Sequence, residues 1–217
     1  MTSMRGSDVP TATEPSELVP RFNGTERSLH WLLAATFLTM LATGLILELP
    51  AFGELAANRQ LWKSIHLGAA LGFWAGLFLL VAGASQEIVP TFDQLDRFDD
   101  DDRRWLRWAV VRDGKEPPQG RFNAGQKLNS ALIAGLLVVL TLSGTVMFLG
   151  EVNASFRGTA AILVHDLATW ISVPLIAGHL YLALLHPSTR PSLRGMVRGS
   201  VRRDWARRHH PKWEKTL

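Results

Sequence analysis

Histidines at positions 165 and 179 bracket the stretch HDLATWISVPLIAGH, in which Asp166 is the only charged companion. An imidazole inside an apolar segment is a costly placement that points to metal ligation or proton chemistry. On an α-helix, fourteen residues advance roughly 21 Å and return to within about 40° of the starting direction. That rise covers most of a hydrocarbon core of about 30 Å. The two rings are too far apart for one metal ion, so they are expected to serve two sites stacked through a bilayer. Two further histidines, His30 and His66, also lie in or beside apolar stretches.

The elements that must position these rings follow from composition. The 217 residues contain no cysteine, which excludes disulfides, thiolate zinc sites and iron–sulfur ligation by this chain. Apolar residues make up 47% of the chain, gathered into blocks at approximately 29–49, 62–83, 128–149 and 160–185. Each block has about the twenty apolar residues a spanning helix needs. The stretch ALIAGLLVVLTLSGTVMFLG lacks the polar stripe of a soluble amphipathic helix. The expected fold is an all-α membrane protein, a four-transmembrane-helix bundle. The first twenty residues are polar and Pro-rich, without the apolar core of a signal peptide, so insertion is expected to use the first block.

Lysine and arginine set the expected direction. Arg97, Arg103, Arg104, Arg107, Arg112, Lys115, Arg121 and Lys127 follow the second block, and nine more basic residues follow the fourth, from Arg190 to Lys215. The two other connections carry only Arg59, Lys63 and Arg157. The positive-inside rule therefore places both termini and the central loop in the cytoplasm. The net charge of +4 is accounted for by topology and attraction to anionic lipid, without nucleic acid.

Direction converts to depth. His30 and His179 fall at the inner ends of helices one and four, and His66 and His165 towards the outer ends of helices two and four. Two imidazoles facing each other across a bundle are how a b-type haem is held, so the pairs His30/His179 and His66/His165 are candidate axial ligands of two haems b. A lone histidine at a helix end is commonly an interfacial hydrogen-bonder, but four that pair by depth are harder to explain that way. His186, His209 and His210 are expected to be solvated at the inner interface, with His186 able to help move protons. Gly68, Gly72 and Gly76 form a small-residue strip for close approach of a helix or a flat macrocycle. Pro174 is expected to bend helix four.

In the loop, GRFNAGQKLN places Asn123, Gly125 and Gln126 at the inner surface, level with His179. These residues could meet a quinone, with Asn123 donating a hydrogen bond to it. A helix N-cap at Asn123 or a turn at Gly125 is the plain alternative. Trp105 and Trp108 are expected to touch the membrane interface.

The segments RSLHW, KSIHLGAALGF, GRFNAGQK, the His165/His179 pair with HLYLA, and the tail LRGMVRGSVRRDWARRHHPKW together resemble the cytochrome b (gamma) subunit of respiratory formate dehydrogenase. The resemblance runs from about Arg21 onward. It implies that His30, His179, His66 and His165 ligate two haems b and that Asn123 and Gly125 contact a quinone beside His179. It also implies an iron–sulfur (beta) subunit on the outer face, fed by a molybdenum or tungsten catalytic (alpha) subunit, in a bacterial inner-membrane complex that reduces menaquinone or ubiquinone. The expected organisation is a polar tail at 1–20, a dihaem domain at 21–185 with a cytoplasmic loop at 86–127, and a basic tail at 186–217. The cytochrome b of a nickel–iron hydrogenase, a stand-alone quinol-linked cytochrome b and a cofactor-free anchor are the competing functions.

Overall fold

Four helices are long and apolar enough to cross a membrane. In the computed structural model, which describes residues 17–156 and 158–217, they are α1 (Gly24–Glu48), α2 (Arg59–Asp96), α4 (Ala124–Val152) and α5 (Thr159–Leu180). A π-helical turn, Tyr181–Leu185, prolongs α5. Residues 1–16, most of the expected polar tail, lie outside the described residues. Short elements complete the chain: β1 (Leu18–Pro20), α3 (Asp100–Val111), α6 (Leu193–Arg198), β2 (Ser200–Arg202), α7 (Arg203–His209) and α8 (Pro211–Glu214).

Capping fixes where the long helices start. Asn23 accepts from the Glu26 amide while the Glu26 carboxylate accepts from the Asn23 amide, a reciprocal box that satisfies two otherwise orphaned donors. Asp99 with Asp102 and Asn123 with Gln126 repeat the device at α3 and α4. α1 packs along α2 and α4 along α5, whereas the two hairpins touch each other sparingly. Few side chains within the spans are buried by protein alone, among them Phe37, Thr43, Phe73, Ser143, Ala168 and Ser172. Among the three glycines of the α2 strip, only Gly76 abuts a neighbour, Leu32 of α1. Helix packing explains that one position, and Gly68 and Gly72 have open space where a Cβ would lie. Pro174 sits within α5, where it leaves the Trp170 carbonyl without its intrahelical donor.

The stretches read as a loop at 86–127 and a tail at 186–217 both contain regular secondary structure. α2 continues beyond the second apolar block to Asp96, with non-helical backbone at Ala84 between Gly83 and Ser85, a pairing that favours kinks. The first part of the expected loop 86–127 is therefore helix. The C-terminal segment folds back to cap one end of the bundle, here the tail end. β2 pairs antiparallel with β1, Val201 opposite Val19, so residues 18–20 belong to a sheet and not to a free tail. Val19, Val201, Trp205 and Ala206 form a small core with Trp213 against it. Gly199 turns the chain between α6 and β2 at φ 82°, where a Cβ would also come within 2.9 Å of the Phe22 carbonyl, so both strain and space require glycine.

The cap is held by charge as well as by packing. The guanidinium of Arg21 lies over the rings of Phe22, Trp205 and Trp213 at 5.1, 5.0 and 5.7 Å. Burial and the neighbouring Arg121 push its pKa down to about 9, which leaves it charged at neutral pH. Lys212 reaches Asp99 at 2.7 Å and Asp101 at 2.5 Å, tying α8 to the start of α3. Lys127 and Asp102, both largely buried, pair at 2.5 Å and tie α3 to α4.

His210, expected in solvent, is buried. Its Nδ1 donates to the Gly120 carbonyl at 2.7 Å, and its Nε2 accepts from Arg21 at 3.0 Å. That pair of partners suits only the neutral ring. Burial, then the Arg21 charge, push its pKa down to about 3. Because the folded value lies below the unfolded one, its contribution to cap stability is complete above about pH 6.5 and falls by about 1.4 kcal/mol per pH unit on acidification towards pH 3. Hydrogen exchange of the β1–β2 amides, corrected for intrinsic pH dependence, should accelerate between pH 6 and pH 4. Constant protection over that range rules the coupling out.

Candidate functional site

The four histidines of the spans meet in two pairs. His30 of α1 and His179 of α5 have ring centres 6.3 Å apart, with planes inclined by 55°. His66 of α2 and His165 of α5 are also 6.3 Å apart, inclined by 61°. The first pair lies towards the tail end and the second towards the opposite, far end. Helix α5 supplies one ring to each level.

This separation has a chemical meaning. An imidazole–metal bond of about 2.0 Å, plus roughly 1.1 Å from nitrogen to ring centre, doubled across one ion, is about 6.2 Å. Both pairs are spaced to grip a single metal from opposite sides. Among the described residues no group of three His, Asp or Glu side chains converges on one point. Two neutral nitrogens per level suit a metal whose other positions are filled by a planar macrocycle, as in haem b. The residues present fit that group.

The far-end pair is also cradled. His66 Nδ1 lies 3.0 Å from the Thr43 hydroxyl and His165 Nδ1 lies 3.0 Å from the Ser143 hydroxyl. Beside each hydroxyl is a glycine. A Cβ on Gly44 would lie 3.7 Å from His66 Cε1, and one on Gly144 would lie 3.3 Å from His165 Cε1. Helices α1 and α4 thus present the same device, hydroxyl then glycine, to the histidine of the helix that follows. The sequence reading passed over these four residues. Their signal was present as Thr-Gly in LATGLI and Ser-Gly in TLSGTV, at matching depth in helices one and three.

Asn123, Gly125 and Gln126 fall at the start of α4, the same end of the bundle as His30 and His179. The carbonyl oxygens of Asn123 and Gln126 are used in the capping box at 2.8 and 3.0 Å, so the cap read as an alternative is present. Among the described residues the Asn123 side-chain nitrogen, Nδ2, has no partner, which leaves a donor available. Gly125 faces the Trp105 indole, which a Cβ would approach to 3.2 Å. Trp105 and Trp108 donate to Glu116 and to the Gly114 carbonyl at 2.9 and 3.3 Å, so they fold the 112–118 segment onto α3. His186 ends the π-helical turn, with Ser188 and Thr189 hydroxyls near its Nδ1.

Four apolar helices that bring imidazoles together in facing pairs define a helical membrane protein of the cytochrome b class. The chain belongs to the prokaryotic cytochrome b561 family, which it matches over residues 21–199. It is 24% identical over 212 residues to the cytochrome b556(Fdn) subunit of the nitrate-inducible formate dehydrogenase of Escherichia coli (strain K12), covering 93% of each chain. The cytochrome b556(fdo) subunit of formate dehydrogenase from the same strain is 25% identical over 210 residues, with 93% of this chain and 94% of the relative covered. The formate dehydrogenase cytochrome b556 subunit of Haemophilus influenzae is 27% identical over 195 residues, with 85% and 77% covered.

Proposed function

We propose that this chain is the membrane subunit of a formate dehydrogenase complex and links an iron–sulfur subunit on the periplasmic side to quinone on the cytoplasmic side. The spacing of the two histidine pairs carries the reading, and the similarity to formate dehydrogenase cytochrome b556 subunits supplies the partner. His66 and His165 hold the far-end, periplasmic-side haem b, and His30 and His179 hold the tail-end, cytoplasmic-side one. Bound there, each haem supplies a one-electron carrier. The partner's molybdenum or tungsten subunit oxidises formate, and this chain contributes no catalytic residue to that step.

Quinone is reduced at the tail end. Asn123 donates to it from the side-chain nitrogen that the capping box leaves free, and His179, Gly125 and Gln126 shape the same site. Protons come from the cytoplasm, so inward electron flow contributes to the proton-motive force. Purification of the intact complex from mild detergent tests the assignment: a formate-oxidising subunit and an iron–sulfur subunit should accompany the chain. A nickel–iron hydrogenase large subunit in their place, or a lone cytochrome, overturns it.

Asn123→Asp separates the two roles of that residue. The carboxylate caps as well as the amide but cannot donate, so helix stability should hold while quinone reduction falls at least several-fold. Asn123→Ala should lose both, with about 0.5–2 kcal/mol of stability. Wild-type quinone reduction by the Asp variant reduces Asn123 to a cap.

A further inference from the structure

We infer that Thr43 and Ser143 are positioning residues that fix the tautomer and donor strength of the far-end histidine pair, an inference that rests on the haem-ligating role proposed above. The hydrogen-bond directions follow from what each group can do. The Thr43 hydroxyl lies 2.8 Å from the Thr39 carbonyl and 3.1 Å from the Met40 carbonyl. The Ser143 hydroxyl lies 2.7 Å from the Val139 carbonyl and 3.3 Å from the Leu140 carbonyl. A carbonyl only accepts, so each hydroxyl's single proton is committed to its own helix. What remains at the oxygen is lone pairs. His66 Nδ1 and His165 Nδ1, each 3.0 Å away, must then be the donors.

An Nδ1–H that donates leaves Nε2 as the unprotonated nitrogen, which is the one free to bind metal. Both rings of the pair are set in this form, by the same device on two different helices. Gly144 gives the His165 ring edge room that a Cβ would crowd at 3.3 Å, whereas a Cβ on Gly44 would meet His66 at an ordinary contact distance of 3.7 Å. Donation from Nδ1 also makes the imidazole a stronger electron donor at Nε2, which favours the oxidised metal. The hydroxyls therefore hold the potential of the far-end haem down. No comparable hydroxyl contact is made by His30 or His179 among the described residues. The asymmetry favours electron movement from the far end to the tail end.

The test is a potentiometric titration of both haems in membranes containing the full complex. Haem b per chain is measured on the same samples, alongside the low-temperature spectrum of the oxidised haems. Variants are Thr43→Val, Thr43→Ser, Ser143→Ala and Ser143→Thr. Thr43→Val and Ser143→Ala should each raise the potential of one haem and shift its spectrum, leaving the other unmoved. Thr43→Ser and Ser143→Thr, which keep the hydroxyl, should retain the wild-type values. The carbonyls of Met40 and Leu140 also approach the two rings. Unchanged potentials in both hydroxyl-free variants would show that these carbonyls suffice and overturn the inference. Equal shifts in Thr43→Val and Thr43→Ser overturn it too, because packing is then the cause. If Thr43→Val blocks assembly, Ser143→Ala, which deletes one oxygen atom, decides alone on the same criterion. Fewer than two haems in the wild-type chain strikes instead at the dihaem reading.

Discussion

On the proposed ligation of one haem b by each histidine pair, replacing His66 with alanine should lower haem b by about one per chain, and the haem at the other pair should keep its wild-type spectrum and potential. The far-end pair offers only two nitrogens, so deleting one removes half of the protein's grip on the metal. His165→Ala should give the same product. The double variant should therefore be no worse than either single one, the non-additivity expected of residues that act as a unit. Combining His66→Ala with His30→Ala should instead remove both haems, since these rings belong to different levels. Imidazole added to the His66→Ala protein should restore part of the lost absorbance. All four single variants should lose electron delivery to quinone by orders of magnitude. If His66→Ala and His30→Ala proved equivalent and non-additive, the pairing by depth would be wrong, since those rings would then share one metal.

Depth was readable from the sequence because it depends on few variables. The four apolar blocks set the spans, successive spans alternate in direction, and a rise of about 1.5 Å per residue then places each histidine at one end of the bundle or the other. The juxtaposition of His30 with His179 and of His66 with His165 follows from those inputs. Thr43 and Ser143 were not singled out because a lone hydroxyl in a spanning helix usually bonds its own preceding turn, as both of these do. Only the neighbouring ring gives them a second function. The tail was misjudged for a different reason. Its many arginines made it read only as a basic tail, yet Val201, Trp205, Ala206 and Trp213 are the residues that fold it. They bury against Val19, a partner distant in sequence, which no local pattern reveals. His210 likewise looked like a surface residue beside His209, and only the Gly120 carbonyl and Arg21, brought from elsewhere in the chain, make its burial tolerable.

The second large effect concerns the base of α1. Glu26 and Arg121 form an ion pair with both side chains largely buried, the guanidinium contacting both carboxylate oxygens at 2.8 and 2.7 Å. Thr91 of α2 donates to the same carboxylate, and Glu26 completes the capping box with Asn23. One carboxylate thus joins α1, α2 and the segment leading into α4. Glu26→Ala leaves the Arg121 charge buried beside the Arg21 charge with no counter-ion, a change that costs about 3–5 kcal/mol. Replacing both members by apolar residues, Glu26→Leu with Arg121→Met, should cost less than the single change, because no charge is stranded. Glu26 lies one helical turn before His30, so loosening the start of α1 should weaken haem retention at the tail-end pair before the far-end one. Thermal unfolding followed separately at the two haem signals reads both effects. A Glu26→Ala loss below about 1 kcal/mol, the range of exposed pairs, would mean that water reaches this cluster and that the ion pair does not hold the three segments together.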